Sequence, residues 1–497
     1  MTIGINTNLA SLYVQRQAYI AEQNSNQSLQ RVSTGLRINS AKDDSAGMAI
    51  ASRMSSQVNG LSQAVVAAND AISMTQTAES HLGTIEGLLQ RMRQLAVQSA
   101  NSSNSTFDRK QLQGEVVELT GSIDQEVRNS EFNGHKLIDG SLTNMTYQIG
   151  ADIGQTISIN IASARAADLG NYTVDSQSGS GISSAVAQAS SLNYSTGNGF
   201  QQQAIIISGY GVNATTGTLA AGTSAKQVAA AVNALSSQVG VEAEARTEVT
   251  ISNVSQGQVR LQLFGSNSVA VTIAATINYT NDLSALANAI NARSGTTNVT
   301  AVADLQGNLK LSNQFGEDIK IGNLNDVGEG LTGATIRGYD AGTSVNLAAT
   351  GGGGDAVVVG GKVNFNSHAG FAMSTSNGTS LLTASQVGST LNALSQMDIS
   401  TVAGANKAIA TLDAAITSVN NGMASMGALQ NRFNSTIYNL QTTSTQVQDA
   451  RGRIQDTDYA HESTELTRKQ ILQQAANAIL VQANQVADNV LTLLQPY

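Results

Sequence analysis

Apolar side chains recur at alternating intervals of three and four residues between positions 409 and 454. The series comprises Ile409, Leu412, Ile416, Val419, Met423, Met426, Phe433, Ile437, Leu440, Val447 and Ile454, and polar side chains interrupt it at Gln430, Ser444 and Arg451. This alternation averages to a period of 3.5 and is typical of a coiled-coil seam. We therefore predict one helix of roughly 70 Å, at a rise of about 1.5 Å per residue. Such a seam requires partners of similar length elsewhere in the chain.

The first third of the chain contains candidate partners. A thin apolar face predicts a helix from residue 1 to about residue 38, and residues 39–45 predict an irregular connection in which Asp43 or Asp44 caps the next helix. That helix is long, but its seam through Leu61, Val65, Ala68 and Ile72 resumes in a new phase at Leu82. The pattern therefore predicts a local unwinding near residues 76–80.

A shorter amphipathic helix follows around residues 112–123, and Asn133-Gly134 is predicted to end it. Two strands at about 145–149 and 156–161 then predict a small hairpin. The two terminal regions are expected to pack together although they lie far apart in sequence.

The middle of the chain has a different composition, rich in Ser, Thr, Gly, Ala and Asn. Residues 226–234 end in Val232-Asn233-Ala234, and residues 283–292 end in Ile290-Asn291-Ala292. Each segment leads into an extended piece, a glycine turn and a strand, so the sequence predicts two copies of one unit built from a helix and strands.

The C-terminal helix carries two apolar stripes. Leu472, Ile479, Val486 and Leu493 lie seven residues apart, and Leu480, Ala483, Ala487, Val490 and Leu494 form a stripe beside them. Two adjacent stripes suit a helix with partners on both sides. A lone helix pair buries too little apolar area to offset the entropy of ordering both terminal segments, so these segments are expected to require an assembly.

These patterns together predict a fold class and five segments. The terminal regions are mainly α and form an elongated, coiled-coil-like bundle with a small β-hairpin, whereas the centre is α+β or β-rich. The segments are residues 1–40 and 41–177, a variable central region at 178–398, and residues 399–455 and 456–497.

Composition excludes several function classes. A net charge of −9 argues against nucleic acid as a partner. The chain has no Cys, its four His are scattered, and no stretch resembles a membrane span or a secretory signal peptide. Gly328, Gly330 and Gly333 match a dinucleotide motif, but the strand and helix that the motif requires are absent from the pattern. We expect no metal, no cofactor and no enzymatic activity; the alternative is an enzyme domain within residues 178–398.

Several motifs, in order along the chain, resemble bacterial flagellin. They are residues 5–8 (INTN), 33–47 (STGLRINSAKDDSAG), 90–101 (QRMRQLAVQSAN), 132–134 (FNG), 430–433 (QNRF), 450–459 (ARGRIQDTDY) and 470–475 (QILQQA). The resemblance covers about the first 170 and the last 95 residues.

The resemblance implies a structural subunit of the extracellular flagellar filament used for swimming. The chain ends, 1–40 and 456–497, would form the inner tube, and the middle would stand outward. The implied partners are other copies of the chain, the flagellar export apparatus and a chaperone, and the filament cap and hook-associated proteins. A hook–filament junction protein of the same family is the alternative.

Two sets of site residues follow from these inferences. The assembly seam is predicted at Ile416, Phe433, Ile437, Leu440, Leu472, Ile479, Val486 and Leu493. The resemblance implies that a host Toll-like receptor detects a helical surface that carries Arg91, Leu95 and Glu115.

Overall fold

The computed structural model describes residues 7–177, 181–189, 192–195, 197–325, 330–338, 344–351, 353–377 and 380–493, with side chains in the last helix as far as residue 485. The helices within these ranges are α1 (Leu9–Thr34), α2 (Ser45–Ala100), α3 (Thr106–Asn129), α4 (Ala225–Asn233), α5 (Ser236–Val239), α6 (Ser284–Asn291), α7 (Ser294–Thr297), α8 (Val402–Gln455) and α9 (Tyr459–Leu493).

The strands belong to two small hairpins and to the middle of the chain. They are β1 (Glu131–Phe132), β2 (His135–Lys136), β3 (Met145–Gln148), β4 (Thr156–Ile159), β5 (Gly170–Asp175), β6 (Ala185–Ala187), β7 (Ile205–Gly209), β8 (Val212–Thr215), β9 (Glu242–Ser252), β10 (Gly257–Phe264), β11 (Val271–Ile277), β12 (Thr300–Ala303), β13 (Leu309–Asn313), β14 (Ile319–Asn323), β15 (Thr335–Arg337), β16 (Ser344–Asn346), β17 (Ala356–Val359), β18 (Lys362–Ser367), β19 (Ala372–Thr375), β20 (Gln386–Gly388) and β21 (Thr390–Ala393).

The chain divides into two compact units. The first unit comprises Met1–Thr77, Thr143–Asn160 and Ser425–Tyr497, and the second comprises Ala78–Leu142 and Ile161–Ala424. Terminal helices thus pack together and the middle is rich in β-strands, which confirms the predicted fold class.

The seam of α8 has the phase that the sequence predicts. Every second member of the series is buried, at a spacing of seven residues: Leu412, Val419, Met426, Phe433 and Leu440. The alternating members Ile416 and Ile437 are half-buried. One half of the 3-4 repeat therefore lies in the core of this helix and the other half flanks it, while near the start of α8 the buried alternating positions are Ala408 and Ala415, each one residue before the predicted Ile409 and Ile416.

The predicted unwinding of α2 is wrong, because the helix is continuous through residues 76–80. Its buried positions keep an unbroken 3-4 alternation that runs through Leu61, Ala64, Ala68, Ala71, Thr75, Ala78, Leu82, Ile85, Leu89, Met92 and Ala96. Small residues fill the middle of this seam. Larger side chains such as Val65 and Ile72 lie half-buried beside it, and their size suggested a phase change that does not exist.

Two local signals set the connection between α1 and α2. Gly35, at φ 71°, adopts the left-handed conformation and its N–H donates to the Arg31 carbonyl, which ends α1 at Thr34, before the predicted residue 38. The Asp44 side chain accepts a bond from the Gly47 N–H at 2.9 Å and caps α2, as predicted. Asp43 instead binds Gln27, Ser40 and the backbone of residue 39, and its bond with Gln27 is the largest cause of its lowered pKa.

Helix α3 begins with a capping box between Ser105 and Asp108 and buries Val116 and Ile123, in agreement with the predicted face. The prediction that Asn133-Gly134 ends this helix is wrong, because α3 ends at Asn129. Asn133 and Gly134 have φ values of 49° and 81° and form the two-residue turn of the β1–β2 hairpin. A turn with positive φ at both central residues is the usual role of an Asn-Gly pair.

The β3–β4 hairpin, close to the two predicted strands, packs within the first unit. The Tyr147 ring meets the buried Phe433 ring edge to face, with centroids 6.3 Å apart, and the Tyr147 hydroxyl lies 3.2 Å from the Met74 sulfur. Burial is the main reason that the pKa of Tyr147 is raised. The hairpin therefore fixes α2 and α8 to each other in this unit.

The middle of the chain contains three larger sheets. Their strand orders are β11-β10-β14-β17-β6, then β12-β13-β9-β18-β5-β21 with β15 and β16 off this path, and β20-β19-β7-β8. Two hydrophobic clusters lie within it, one around Leu261 and Ile290 and the other around Val232 and Phe365.

The two segments of the predicted repeat make matching hydrogen bonds. The Asn233 side chain at the end of α4 donates to the Ala243 carbonyl at 2.9 Å and accepts from its N–H at 2.6 Å. Asn291 at the end of α6 makes the same two bonds with Ala301, both at 2.8 Å. In each copy the asparagine joins the helix to the strand that follows ten residues later.

Candidate assembly surface

The first and last helices of the chain pair in antiparallel orientation within the first unit. Near one end, Asn8 Nδ2 donates to the Ala483 carbonyl at 2.9 Å and Ser11 Oγ donates to Asn484 Oδ1 at 2.7 Å. Further along, Lys469 Nζ donates to Ser28 Oγ at 2.7 Å. These contacts run in opposite directions along α1 and α9, which defines one alignment of the pair.

The loop after α1 extends this pairing. Arg37 donates from its backbone N–H to the Gln455 carbonyl at 2.7 Å and from its guanidinium to the Ile454 carbonyl at 2.6 Å. The Thr457 N–H donates to the Gly35 carbonyl. Two of the motifs that resemble flagellin, at residues 33–47 and 450–459, are therefore in contact in the structure.

Most of the side chains that α1 and α9 turn toward each other are small or polar. On α1 and at its N-cap, one series of buried or half-buried positions comprises Asn8, Ser11, Val14, Ala18, Ala21, Ser25, Ser28 and Val32, with Arg31 beside it; on α9 the series comprises Glu462, Leu466, Lys469, Gln473, Ala476, Leu480 and Ala483, with Ser463 and Glu465 beside it. Both series follow a 3-4 alternation, so the two helices meet along a seam. Its residues bury little apolar area, because most are Ser, Ala or polar.

Most of the large apolar side chains of the same helices are exposed instead. They are Leu9, Leu12, Tyr13, Tyr19, Ile20 and Leu29 on α1, and Tyr459, Ile471, Leu472, Ile479 and Val481 on α9. A soluble helix pair normally has the opposite arrangement, with its apolar stripe inside. We define these eleven side chains as the outer apolar face.

The predicted seam residues fall into three groups. Leu472 and Ile479 belong to the outer apolar face, at 55% and 54% exposure, while Leu480 and Ala483 of the neighbouring stripe are half-buried toward α1. Phe433, Leu440, Ile416 and Ile437 lie on α8, where they are buried or half-buried within the chain. The side chains of Val486 and Leu493 lie outside the described part of α9.

Sequence reasoning missed the polar character of this seam. The signal was the heptad spacing of Ser11, Ala18, Ser25 and Val32, which the search for large apolar residues passed over. Charged groups also line α9: Glu465 pairs with Arg468, and this hydrogen bond is the largest cause of the lowered pKa of Glu465.

The second unit holds the three residues of the predicted receptor surface. Arg91 on α2 and Glu115 on α3 form an ion pair at 2.7 Å, and their side chains are 52% and 42% exposed. Leu95 lies one turn further along α2 but is 1% exposed. The structure therefore brings the two charged residues together at the surface and places Leu95 in the core beneath them.

A groove of about 510 Å³ lies in the second unit beside the start of α8. Its lining includes Asp175, Glu244, Arg246 and Lys362, and Lys362 pairs with Asp175 at 3.2 Å. The charges of opposite sign give the groove no strong preference for an anion or a cation.

Other candidate chemistry has a simple structural account. Gly330 and Gly333 of the glycine motif lie in a turn with φ values of 48° and 85°, and Gly328 lies outside the described residues. Among the described residues, no cluster of three or more His, Asp or Glu side chains could hold a metal ion. None of the helices in this part of the chain is both long enough and apolar enough to cross a membrane.

Comparison with known proteins identifies the family. A model described as the bacterial flagellin N-terminal helical region matches residues 5–143, and one described as the C-terminal helical region matches residues 409–494. The B-type flagellin of Pseudomonas aeruginosa is 36% identical over 100% of both chains. A flagellin of Salmonella rubislaw is 34% identical over 99% of both chains.

Solved structures show weaker likeness. FliC from Burkholderia pseudomallei is 18% identical, with a TM-score of 0.31 over 73% of this chain and 99% of its own. The flagellar junction protein FlgL from Legionella pneumophila is 11% identical, with a TM-score of 0.30 over 83% and 100%. These two values do not distinguish a filament subunit from a junction protein. The sequence relatives, which align along the whole chain, do make the assignment: the chain belongs to the bacterial flagellin family.

Proposed function

We propose that this chain is a repeating subunit of a bacterial flagellar filament and that it polymerises through α1 and α9. The observation that carries the proposal is the outer apolar face, which lies on both helices at once. Full burial of one large apolar side chain is worth about 1.5–3 kcal/mol. Other copies of the chain can supply that burial, because each copy presents the same face.

The remaining helices suit a different role in the subunit. The seams of α2 and α8 are already filled within the chain, so these helices are proposed to provide a stiff body and not the main adhesive surface. The middle, with its own two hydrophobic clusters, is proposed to stand outward from the filament. This division assigns polymerisation to the chain ends and surface variation to residues 178–398.

The further partners are also proposals. Export through the flagellar secretion apparatus fits a chain that has no Cys and whose terminal helices have a small-residue seam. A chaperone on α9 would cover Ile471, Leu472, Ile479 and Val481 before assembly, and the filament cap and hook-associated proteins would meet the same helices. The site of action is then the extracellular filament.

The hook–filament junction protein is the less favoured alternative. Curated relatives that are 30–36% identical along essentially the whole chain are flagellins. An enzyme domain in the middle of the chain has no comparable support, since the relatives form a structural family.

Removal of residues 455–497 tests the proposed role of α9. The shortened chain should remain a monomer when seeded with filament fragments, as measured by sedimentation and negative-stain microscopy. A full-length variant with Leu472→Ser and Ile479→Ser should polymerise poorly, whereas Gln470→Ser and Gln474→Ser, which remove no apolar side chain from this helix, should polymerise normally. Filaments formed by the shortened chain would refute the proposal.

We also propose that Arg91 and Glu115 contribute to recognition by a Toll-like receptor. Their exposed ion pair offers both a donor and an acceptor, and Leu95 holds α2 in place from below. Arg91→Ala with Glu115→Ala should weaken receptor activation by the monomer, whereas Lys110→Ala on the exposed side of α3 should not. Equal activation by all three proteins would contradict this assignment.

A further inference from the structure

One ion pair lies inside the seam between α1 and α9. Arg31 Nη1 and Glu462 Oε2 are 3.9 Å apart, and the side chains are only 25% and 7% exposed. Within the described residues, Arg31 Nε and Glu462 Oε1 have no hydrogen-bond partner. The pair is therefore enclosed without full hydrogen bonding, an arrangement that costs desolvation energy.

The small and apolar side chains of the seam do little to define a register, although the hydrogen bonds of Asn8, Ser11 and Ser28 with α9 and those of Arg37 with residues 454 and 455 also hold the observed one. The α1 side of the seam is composed mostly of Ser, Ala and Val, and these small side chains recur at heptad spacing. A shift of seven residues along α9 would again place these small side chains opposite a mixed series, in which Leu466, Gln473 and Leu480 exchange places and Glu462, Lys469, Ala476 and Ala483 do the same. Apolar burial alone therefore discriminates weakly between the observed alignment and its one-heptad neighbours.

Charge does discriminate between them. A shift of seven residues in one direction would move Arg31 from Glu462 to Lys469, which places two cations together. A shift in the other direction would move Arg31 to Gln455 and leave Glu462 without its cation. A buried polar or charged pair that fixes register at a cost in stability is a known device of coiled coils.

We infer that Arg31 and Glu462 form a charge lock that, together with the hydrogen bonds along the pair, selects the antiparallel register of α1 on α9 against its one-heptad neighbours. The register also fixes which exposed side chains of α1 lie beside which exposed side chains of α9, so we expect correct register to be a condition for polymerisation. This inference rests on the proposed function only in that last step; the register itself is a property of the helix pair.

Engineered disulfides can report the register, because the chain contains no Cys. Ser11→Cys with Asn484→Cys reports the observed register, since these side chains are already 2.7 Å apart. Ser28→Cys with Ala476→Cys reports the register shifted by seven residues, since Ser28 contacts Lys469 in the observed one. The full-length chain is oxidised mildly under polymerising conditions, and only the intramolecular disulfide band of monomer size is measured.

Arg31→Glu should lower the Ser11–Asn484 disulfide about tenfold or more, since a factor of ten needs only about 1.4 kcal/mol. It should raise the Ser28–Ala476 disulfide, because the new carboxylate is attracted to Lys469. Glu462→Arg should also lower the first disulfide, and the combined charge exchange Arg31→Glu with Glu462→Arg should restore it. Arg31→Lys, which keeps the charge, should retain the observed register.

Polymerisation of the same proteins, measured in reductant, separates this inference from the proposed function. The single charge reversals should not form filaments, whereas the combined exchange should. Unchanged disulfide yields in the single variants, or no recovery in the combined exchange, would overturn the charge lock. Failure of the unaltered, cysteine-free chain to polymerise would instead overturn the proposed function, and the disulfide yields would then judge the charge lock alone.

Discussion

Phe433 is the position at which the core of the first unit is most easily tested. Its side chain is fully buried on α8 and meets the Tyr147 ring edge to face at 6.3 Å. Phe433→Ala removes the ring and leaves a cavity between the hairpin and the helices. Buried Phe→Ala changes cost about 3–5 kcal/mol, and an aromatic pair accounts for about 0.5–1.5 kcal/mol of such a loss.

Urea unfolding of the depolymerised chain, followed by circular dichroism at 222 nm, measures this cost. For a dependence of about 2 kcal/mol per molar urea, a loss of about 4 kcal/mol lowers the midpoint by about 2 M. Tyr438→Ala is the matched control, because Tyr438 is on the same helix and 71% exposed, and its change should stay within about 0.5 kcal/mol. Equal midpoints for the two variants would refute the claim that Phe433 anchors the hairpin to α8.

Three further predictions concern other parts of the chain. Ile437→Asp introduces a charge on the half-buried side of α8 and should prevent filament formation. Normal filaments by electron microscopy would show that this seam accommodates a charged side chain at position 437. Burial raises the pKa of Asp318 to about 6 despite its hydrogen bonds from Asn198. The folded chain therefore binds this proton more tightly than the unfolded chain, so stability should fall by up to roughly 3 kcal/mol as pH rises from about 4 to 6 and be constant above. In thermal unfolding, the melting temperature should change less with pH across this range for Asp318→Asn than for the unaltered chain. Equal slopes of melting temperature against pH would contradict a raised pKa for Asp318. Asn233→Ala and Asn291→Ala each remove two hydrogen bonds and should each cost about 2 kcal/mol; Asn288→Ala, on the exposed side of α6, should cost little in the same denaturation assay.

The long helices could be predicted where large side chains mark the seam. In α8 the positions Leu412, Val419 and Phe433 are both large and buried, so the periodic pattern and the core coincide. In α2 the seam passes through Ala64, Ala71 and Thr75, whose size gives almost no hydropathy contrast. The sequence therefore predicted the existence of that helix but not the continuity of its packing.

For the assembly surface, the apolar stripe could be predicted from the sequence but the direction in which it faces could not. Leu472 and Ile479 were recognised as a stripe, but periodicity alone cannot tell whether a stripe faces its own chain or another copy. The same ambiguity applies to Leu95, whose neighbours in sequence gave no sign that it is buried while Arg91 is exposed. Side-chain direction relative to a distant helix decides these cases.

The middle was predictable only as local units. The echo of Asn233 in Asn291 revealed two related helix-plus-strands units, because each asparagine acts on a strand ten residues away. The order of the sheets depends on contacts such as those between β18 and β5 or β17 and β6, whose partners are far apart in the chain. Alternation within a strand carries no information about which distant strand it joins.

The pairing of α1 with α9 has a consequence for quality control during synthesis. The hydrogen bonds between the two helices join residues 441 to 475 positions apart, so the pair cannot exist until almost the whole protein has been translated. A prematurely terminated product carries α1 but lacks its counterpart. If the chain polymerises through α1 and α9 as proposed, such a fragment lacks half of the assembly surface, and we expect intact molecules alone to enter the filament.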